Sequence, residues 1–212
     1  MTERFVVTGT DTGIGKTVFS AALTSALGAH YWKPVQAGLG DETDAETVGR
    51  LGRVPPDRIV PEAYRLRTPA SPHHAAALDN VKIAPDALAL PAPPGSLVIE
   101  GAGGVLVPLT SEVLFADVFA RWQVPVILCA RTTLGTINHT LMSVEALQRR
   151  SVPIFGIAFV GEENPETQKI IVQLSGTRSL GRLEPTVPLD HETLMAAFHR
   201  GFDVAIFRSD RS

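Results

Sequence analysis

Two lysines, a threonine and two acids in this chain could do phosphate chemistry if the fold brings them together. Lys16 and Thr17 close the run Gly9-Thr10-Asp11-Thr12-Gly13-Ile14-Gly15-Lys16-Thr17. Glycines let backbone N–H groups curl round an anion, and the start of a following helix adds partial positive charge. A lysine at the end of such a loop reaches β/γ-phosphates, and the next hydroxyl is an oxygen ligand for Mg²⁺. The spacing is longer than the usual GxxxxGK[ST]: five residues separate Gly9 from Gly15, and Thr10 stands where the first glycine is expected.

Lys33 falls at the polar end of His30-Tyr31-Trp32-Lys33-Pro34-Val35. A lysine there can simply reach for solvent along its aliphatic stem. In an open α/β sheet, however, ligands gather outside the carboxyl ends of strands, and that position sets Lys33 beside the phosphate loop. Asp44 lies in the first turn predicted by Thr43-Asp44-Ala45-Glu46, a capping-box pattern. It either complements the helix dipole or faces a ligand, and the residues alone leave both open. Glu100 ends the apolar run Leu97-Val98-Ile99 and precedes Gly101-Ala102-Gly103-Gly104. An acid at the end of a buried strand, followed by glycines, is placed to organise Mg²⁺ beside a nucleotide. The N–H groups where a helix begins near Gly135, Thr136, Ile137 and Asn138 could hold a carboxylate. Cys129 sits in the apolar run Val126-Ile127-Leu128-Cys129-Ala130 and reads as core. His73 and His74 are adjacent, point different ways and have no ligand cluster near them in sequence, which argues against a metal.

The elements that must position these residues are strands and helices in alternation. Phe5–Val7, His30–Val35, Leu97–Ile99, Val124–Ala130, Ile154–Val160 and Ser179–Leu183 read as strands. Helical spacing runs from Phe19 to Leu27 and stops at Gly28; a second helix follows Thr43, and a third carries Ile137, Leu141, Val144 and Leu147 on one side. A last helix runs from His191 towards Phe198, and the tail from Arg208 to Ser212 reads as frayed. Residues 53–95 hold nine prolines and predict an irregular insertion with one short helix near Asp86–Leu90. Strands joined by helical crossovers imply an α/β fold: one domain over residues 1–212, of P-loop NTPase type, its mostly parallel sheet flanked by helices on both faces.

Composition narrows the partners. With 212 residues, 44% hydrophobic and 19% charged, the chain can bury one sizeable core. A net charge of −3 gives no general attraction to nucleic acid or anionic membrane. No secretory leader and no bilayer-length apolar stretch is read, and one cysteine suits a reducing cytoplasm.

The chain resembles the dethiobiotin synthetase family along nearly its whole length. The resemblance rests on Val7-Thr8-Gly9-Thr10-Asp11-Thr12 with Gly15-Lys16-Thr17, Lys33-Pro34-Val35, Thr43-Asp44, Ser71-Pro72-His73, Glu100-Gly101-Ala102-Gly103-Gly104 and Leu134-Gly135-Thr136-Ile137-Asn138-His139, in that order. It implies a homodimeric, Mg·ATP-dependent ligase of biotin synthesis that turns 7,8-diaminononanoate and CO₂ into dethiobiotin, with ADP and phosphate released. In that family an amine takes up CO₂ as a carbamate, the carbamate attacks the γ-phosphate to give a carbamic–phosphoric anhydride, and the second amine closes the ring. Carried over by residue, Thr10, Lys16 and Lys33 would be catalytic, and Thr17, Asp44 and Glu100 would hold Mg²⁺. Gly13, Ile14, Gly15, Lys16, Thr17, Val18, Gly101, Ala102 and Gly103 would line the nucleotide, with Leu183, Glu184 and Pro185 along its base. Lys33 and Ala37 would meet the substrate, together with Gly135, Thr136, Ile137 and Asn138 from the neighbouring subunit. The chain departs from the pattern in two places. Gln36-Ala37-Gly38 lacks the serine that some relatives carry, and Val160-Gly161 replaces an adenine-reading Asn-Asp. Two rival readings share the fold. A cobyrinate-type amide ligase usually needs an ammonia source, for which Cys129 is no candidate. A partitioning-type switch ATPase carries a lysine early in the loop, where this chain has Thr10.

Overall fold

The computed structural model describes residues 3–208. In chain order its strands are β1 (Arg4–Gly9), β2 (His30–Trp32), β3 (Val35–Ala37), β4 (Ile59–Val60), β5 (Tyr64–Leu66), β6 (Leu97–Gly104), β7 (Val126–Arg131), β8 (Ile154–Val160) and β9 (Ser179–Leu183). The helices are α1 (Lys16–Leu27), α2 (Asp44–Gly52), α3 (Pro72–Leu78), α4 (Phe115–Trp122), α5 (Thr136–Gln148), α6 (Pro165–Ser175) and α7 (His191–Gly201). Seven strands form one sheet in the order β4-β2-β6-β1-β7-β8-β9, and every neighbouring pair is parallel. Parallel neighbours need crossovers, and the helices that supply them cover both faces.

The central strands are apolar throughout because they are buried on both sides. In β1 the alternation of side chains sends Val6 into one core, with Ile99, Leu128 and Phe119. Phe5 and Val7 go into the other, with Phe19, Tyr31, Val98 and Phe198. Cys129 packs in this second core, where burial pushes its thiol well above the ordinary range, so it is a core residue as its sequence surroundings predict.

Four local expectations need correction. His30–Val35 is not one strand: β2 stops at Trp32, and β3 pairs with β5 in a separate two-stranded parallel sheet. Pro34 has no N–H to continue the ladder, and its carbonyl instead accepts from the N–H groups of Ala63 (3.0 Å) and Tyr64 (3.1 Å). In the proline-rich insertion the helix is α3, with Pro72 in its first turn and Ala75 and Ala76 buried, whereas Pro85–Ala87 makes only a 3-10 turn. Helices α4 and α6 are two elements the sequence reading lacks, although Asn164 caps α6 and Pro165 opens it. On α5 the inward residues are Thr136, Thr140, Ser143, Val144 and Leu147, while Ile137 is exposed. Hydroxyls turn inward there because Thr136 Oγ1 donates to the Arg131 carbonyl at 2.6 Å. The frayed tail predicted from Arg208 falls, beyond that residue, outside the described residues. No helix among the described residues is long and apolar enough to cross a membrane.

Candidate active site

The loop between β1 and α1 is folded by its glycines and tied down from β7. Gly15 caps α1 at φ 92°, a left-handed conformation, and a side chain there would meet Val160 Cγ1 at 2.8 Å. A Cβ on Gly9 would lie 2.4 Å from Ile14 Cδ1, so Ile14 fills the core beneath the loop and offers the cleft only backbone. The Thr10 N–H donates to the Cys129 carbonyl (3.1 Å), and the Arg131 guanidinium donates to the Thr12 carbonyl (2.8 Å). Lys16 is buried and its Nζ donates to the Asp11 carbonyl at 2.8 Å. Burial holds its pKa below the ordinary lysine range; Glu100 opposes that shift and Lys33 adds to it.

Beside the loop, Lys33 Nζ lies 2.6 Å from Asp44 Oδ2 and 3.2 Å from Glu100 Oε1, and donates to the Gly101 carbonyl at 2.9 Å. Burial alone would push this ammonium's pKa down, but the Glu100 and Asp44 carboxylates outweigh it and hold the pKa above the ordinary range. Asp44 mirrors this: burial raises its pKa, and Lys33 foremost, then Thr17 and Lys16, bring it below the ordinary carboxylate range. Its backbone is fixed by the capping box between Thr43 and Glu46 and by its own N–H donating to Gln36 Oε1 at 3.2 Å. Thr17 Oγ1 stands 3.0 Å from Asp44 Oδ1 and 2.8 Å from Glu100 Oε1. One hydroxyl proton serves two carboxylates, so Thr17 can bond only one of them at a time. Three hard oxygen donors, two of them carboxylates, converge here, a donor set that fits Mg²⁺.

These groups line a cleft of about 530 Å³ at the carboxyl edge of the sheet. It brings together Gly13, Lys16, Thr17, Lys33, Ala37, Asp44, Glu100, Ala102 and Gly103 as the sequence predicts, and it adds Thr12, Gln36 and Ser71. Val18 packs partly buried against the second core. Thr10 faces an adjoining hollow of about 430 Å³ with His139 and Met142, and the two spaces share Thr12 and Val107. Gly135, Thr136, Ile137 and Asn138 lie outside the cleft of their own chain, and the Thr136 hydroxyl is spent on the backbone. Leu183, Glu184 and Pro185 also lie outside it, at the end of β9, where Leu183 is buried and Glu184 accepts from Arg200 Nε at 3.0 Å. Sequence reasoning missed Tyr31, whose hydroxyl donates to Glu100 Oε2 at 2.9 Å, and Arg131. Each carried a signal: a buried tyrosine needs a partner for its hydroxyl, and a lone arginine ends an apolar strand.

Comparison with known proteins places this chain in a family. Residues 3–193 match a family model described as "AAA domain". ATP-dependent dethiobiotin synthetase BioD of Agrobacterium fabrum is 60% identical over 207 residues, 98% of each chain. The enzyme of the same name from Rhodopseudomonas palustris (strain BisB5) is 61% identical, again over 98% of each chain. Among solved structures, a ParA family ATPase from Chlorobium tepidum TLS superposes with a TM-score of 0.54 over 93% of this chain and 90% of that one. Its 13% identity supports the P-loop NTPase fold alone. With about 60% identity over 98% of its length, the chain belongs to the family of ATP-dependent dethiobiotin synthetases.

Proposed function

We propose that this protein joins CO₂ to 7,8-diaminononanoate at the expense of ATP and closes the product to dethiobiotin, releasing ADP and phosphate. Family membership supports the overall reaction. The observation that carries the residue assignments is the burial of Lys33 between Asp44 and Glu100, in the same cleft as Lys16. A carbamate and a triphosphate are both anionic, and two ammonium groups at their meeting point offset that repulsion in a low-dielectric site.

Lys16 and the loop N–H groups would bind the phosphates. Lys33 would hold the carbamate oxygen in line with the γ-phosphorus, and we assign Thr10 to the same step. The carbamate oxygen attacks phosphorus as ADP leaves; the second amine then adds to the carbamate carbon, loses a proton and expels phosphate. Thr17, Asp44 and Glu100 would hold Mg²⁺, which when bound screens the triphosphate and polarises its oxygens. Gly13, Gly15, Val18 and the Gly101-Ala102-Gly103 backbone would wall the nucleotide, with Leu183, Glu184 and Pro185 along the base. Ala37 would touch the substrate chain.

Gly135, Thr136, Ile137 and Asn138 of a second copy would take the substrate carboxylate at the N-terminus of α5. Exposed Leu106, Leu134, Ile137 and Met142 support a homodimer through that face. We take residues 1–212 as one catalytic domain working in the cytoplasm on small molecules, with no nucleic-acid or membrane partner. The test incubates purified protein with the diamine, bicarbonate and Mg·ATP. A cyclic urea appearing in equal amount to ADP is expected. ADP without the urea would instead favour a switch ATPase, the class that the ParA-like fold resembles.

A further inference from the structure

Glu100 is shared between two environments. Its side chain is fully enclosed, with Oε1 towards Thr17 (2.8 Å) and Lys33 (3.2 Å). Oε2 points the other way and accepts from the Tyr31 hydroxyl at 2.9 Å. Register explains the contact. Tyr31 pairs with Val98 across β2 and β6, and Glu100, two residues on, leaves the same face of the sheet. The Tyr31 ring is buried in the core with Val98. An ionised carboxylate only accepts, so the buried hydroxyl must donate to it.

We propose that Tyr31 is a positioning residue that restricts Glu100 to coordination through Oε1 and thereby sets the preference of the site for Mg²⁺ over Ca²⁺. The inference rests on the cation site formed by Thr17, Asp44 and Glu100. Mg²⁺ demands a small octahedral shell and takes carboxylates through single oxygens, whereas Ca²⁺ accepts six to eight ligands and can take a carboxylate through both oxygens. A carboxylate whose second oxygen is held by a buried O–H is shaped for the first ion and penalised for the second. Partners of this outer kind commonly change metal affinity by about 10–100-fold when removed.

The test is Tyr31→Phe in the full-length chain, which keeps the ring and removes one hydroxyl. ADP binding is followed by calorimetry at rising Mg²⁺, at rising Ca²⁺, and in EDTA. The expected result is a Mg²⁺ half-saturation about tenfold higher, with Ca²⁺ unchanged or tighter, so that the Mg²⁺/Ca²⁺ discrimination falls about tenfold or more. Binding in EDTA should stay as in the parent. Discrimination unchanged within twofold overturns the inference alone. A parent chain whose ADP binding ignores both cations overturns the cation site and the inference with it. A second measurement stands if the variant folds poorly. The chain has two tyrosines, so 3-fluorotyrosine labelling gives two ¹⁹F resonances. Tyr31 should shift on adding Mg²⁺ with ADP, while Tyr64, whose hydroxyl accepts from the Ala84 N–H at 2.9 Å, serves as the reference. A Tyr31 resonance that ignores Mg²⁺ overturns the proposal.

Discussion

The carboxyl edge of the sheet is finished in two different ways. Where β1, β2 and β6 end, Lys33 and Thr17 each lie within hydrogen-bond reach of both Asp44 and Glu100. Where β8 and β9 end, the same edge closes with Val160, Gly161 and Leu183, and Glu184, just beyond β9, is paired to Arg200. Under the proposed function, the difference follows from what each end would meet. Triphosphate and carbamate present charge, which in a buried site only charge and aligned N–H groups can match. A nucleotide base presents an edge and a flat face, and backbone and apolar side chains can accommodate both. A charged cluster is also interdependent, because deleting one member strands the others without compensation. The apolar end has no such coupling.

The largest test of this contrast is Lys33→Ala. Turnover should fall by about two orders of magnitude, on the order of 3 kcal/mol of transition-state stabilisation, while ADP affinity stays within a few-fold. Equal losses in steady-state turnover and calorimetric affinity would move Lys33 to the phosphate side. Next comes Gly15→Ala, at the seam between the ends. Left-handed backbone costs a non-glycine residue roughly 1–2 kcal/mol, and the new methyl meets Val160. ADP affinity should drop about tenfold or more, and adding Val160→Ala should recover the steric part only. Full affinity in Gly15→Ala would show that the two ends are mechanically independent.

Smaller still is the effect of exchanging the nucleotide. Val160, Gly161 and Leu183 bring no side-chain hydrogen-bonding group to the edge, so GTP or CTP should retain kcat/KM within about tenfold of ATP, the scale of one modest hydrogen bond. A preference above a hundredfold would mean that this end reads the base after all. The mildest test is the pH dependence of thermal stability in Asp44→Asn. The Asp44 pKa is lower in the folded chain than in the unfolded one, so on acidification the unfolded chain takes the proton first and stability is lost as pH falls through the carboxylate range. Asparagine cannot titrate, and the acid limb should flatten. The Lys33 pKa is raised, so its share persists through neutral pH and is lost only above the ordinary lysine range. Without Asp44 that alkaline loss should begin at lower pH. An unchanged profile in both limbs would remove the pair from the stability account.

The charged end was the more legible in sequence for a physical reason. A glycine-rich turn between an apolar strand and a periodic helix is local information, and so are an acid or a lysine at a strand's end. Gly9 to Thr17, Lys33 and Glu100 could therefore be singled out before any contact was known. What stayed hidden depends on neighbours distant in sequence. Tyr31 looks like any strand aromatic until register sets it beside Val98. Gln36 holds the Asp44 backbone across a turn. On α5, counting hydrophobic residues picked Ile137 for the inner face, but a carbonyl at the end of β7 called for a hydroxyl there. The β8–β9 end gave least, since Val160, Gly161 and Leu183 are ordinary types whose placement comes from the sheet order alone.

One feature of the fold separates the evolution of the two reactants. The chain leaves the main sheet at Lys33-Pro34 and enters the small β3–β5 sheet, which carries Gln36 and Ala37 and leads on to Ser71. The lysine is anchored with the nucleotide machinery, whereas the wall opposite belongs to a separate module rooted in the proline-rich insertion. Insertions or repacking in that module can reshape the pocket for a longer, shorter or differently substituted amine without moving the phosphate apparatus. New substrate ranges on this scaffold should therefore arise by drift in residues 61–72, which spares Asp44 and the Gln36 that holds its backbone, with the nucleotide chemistry inherited intact.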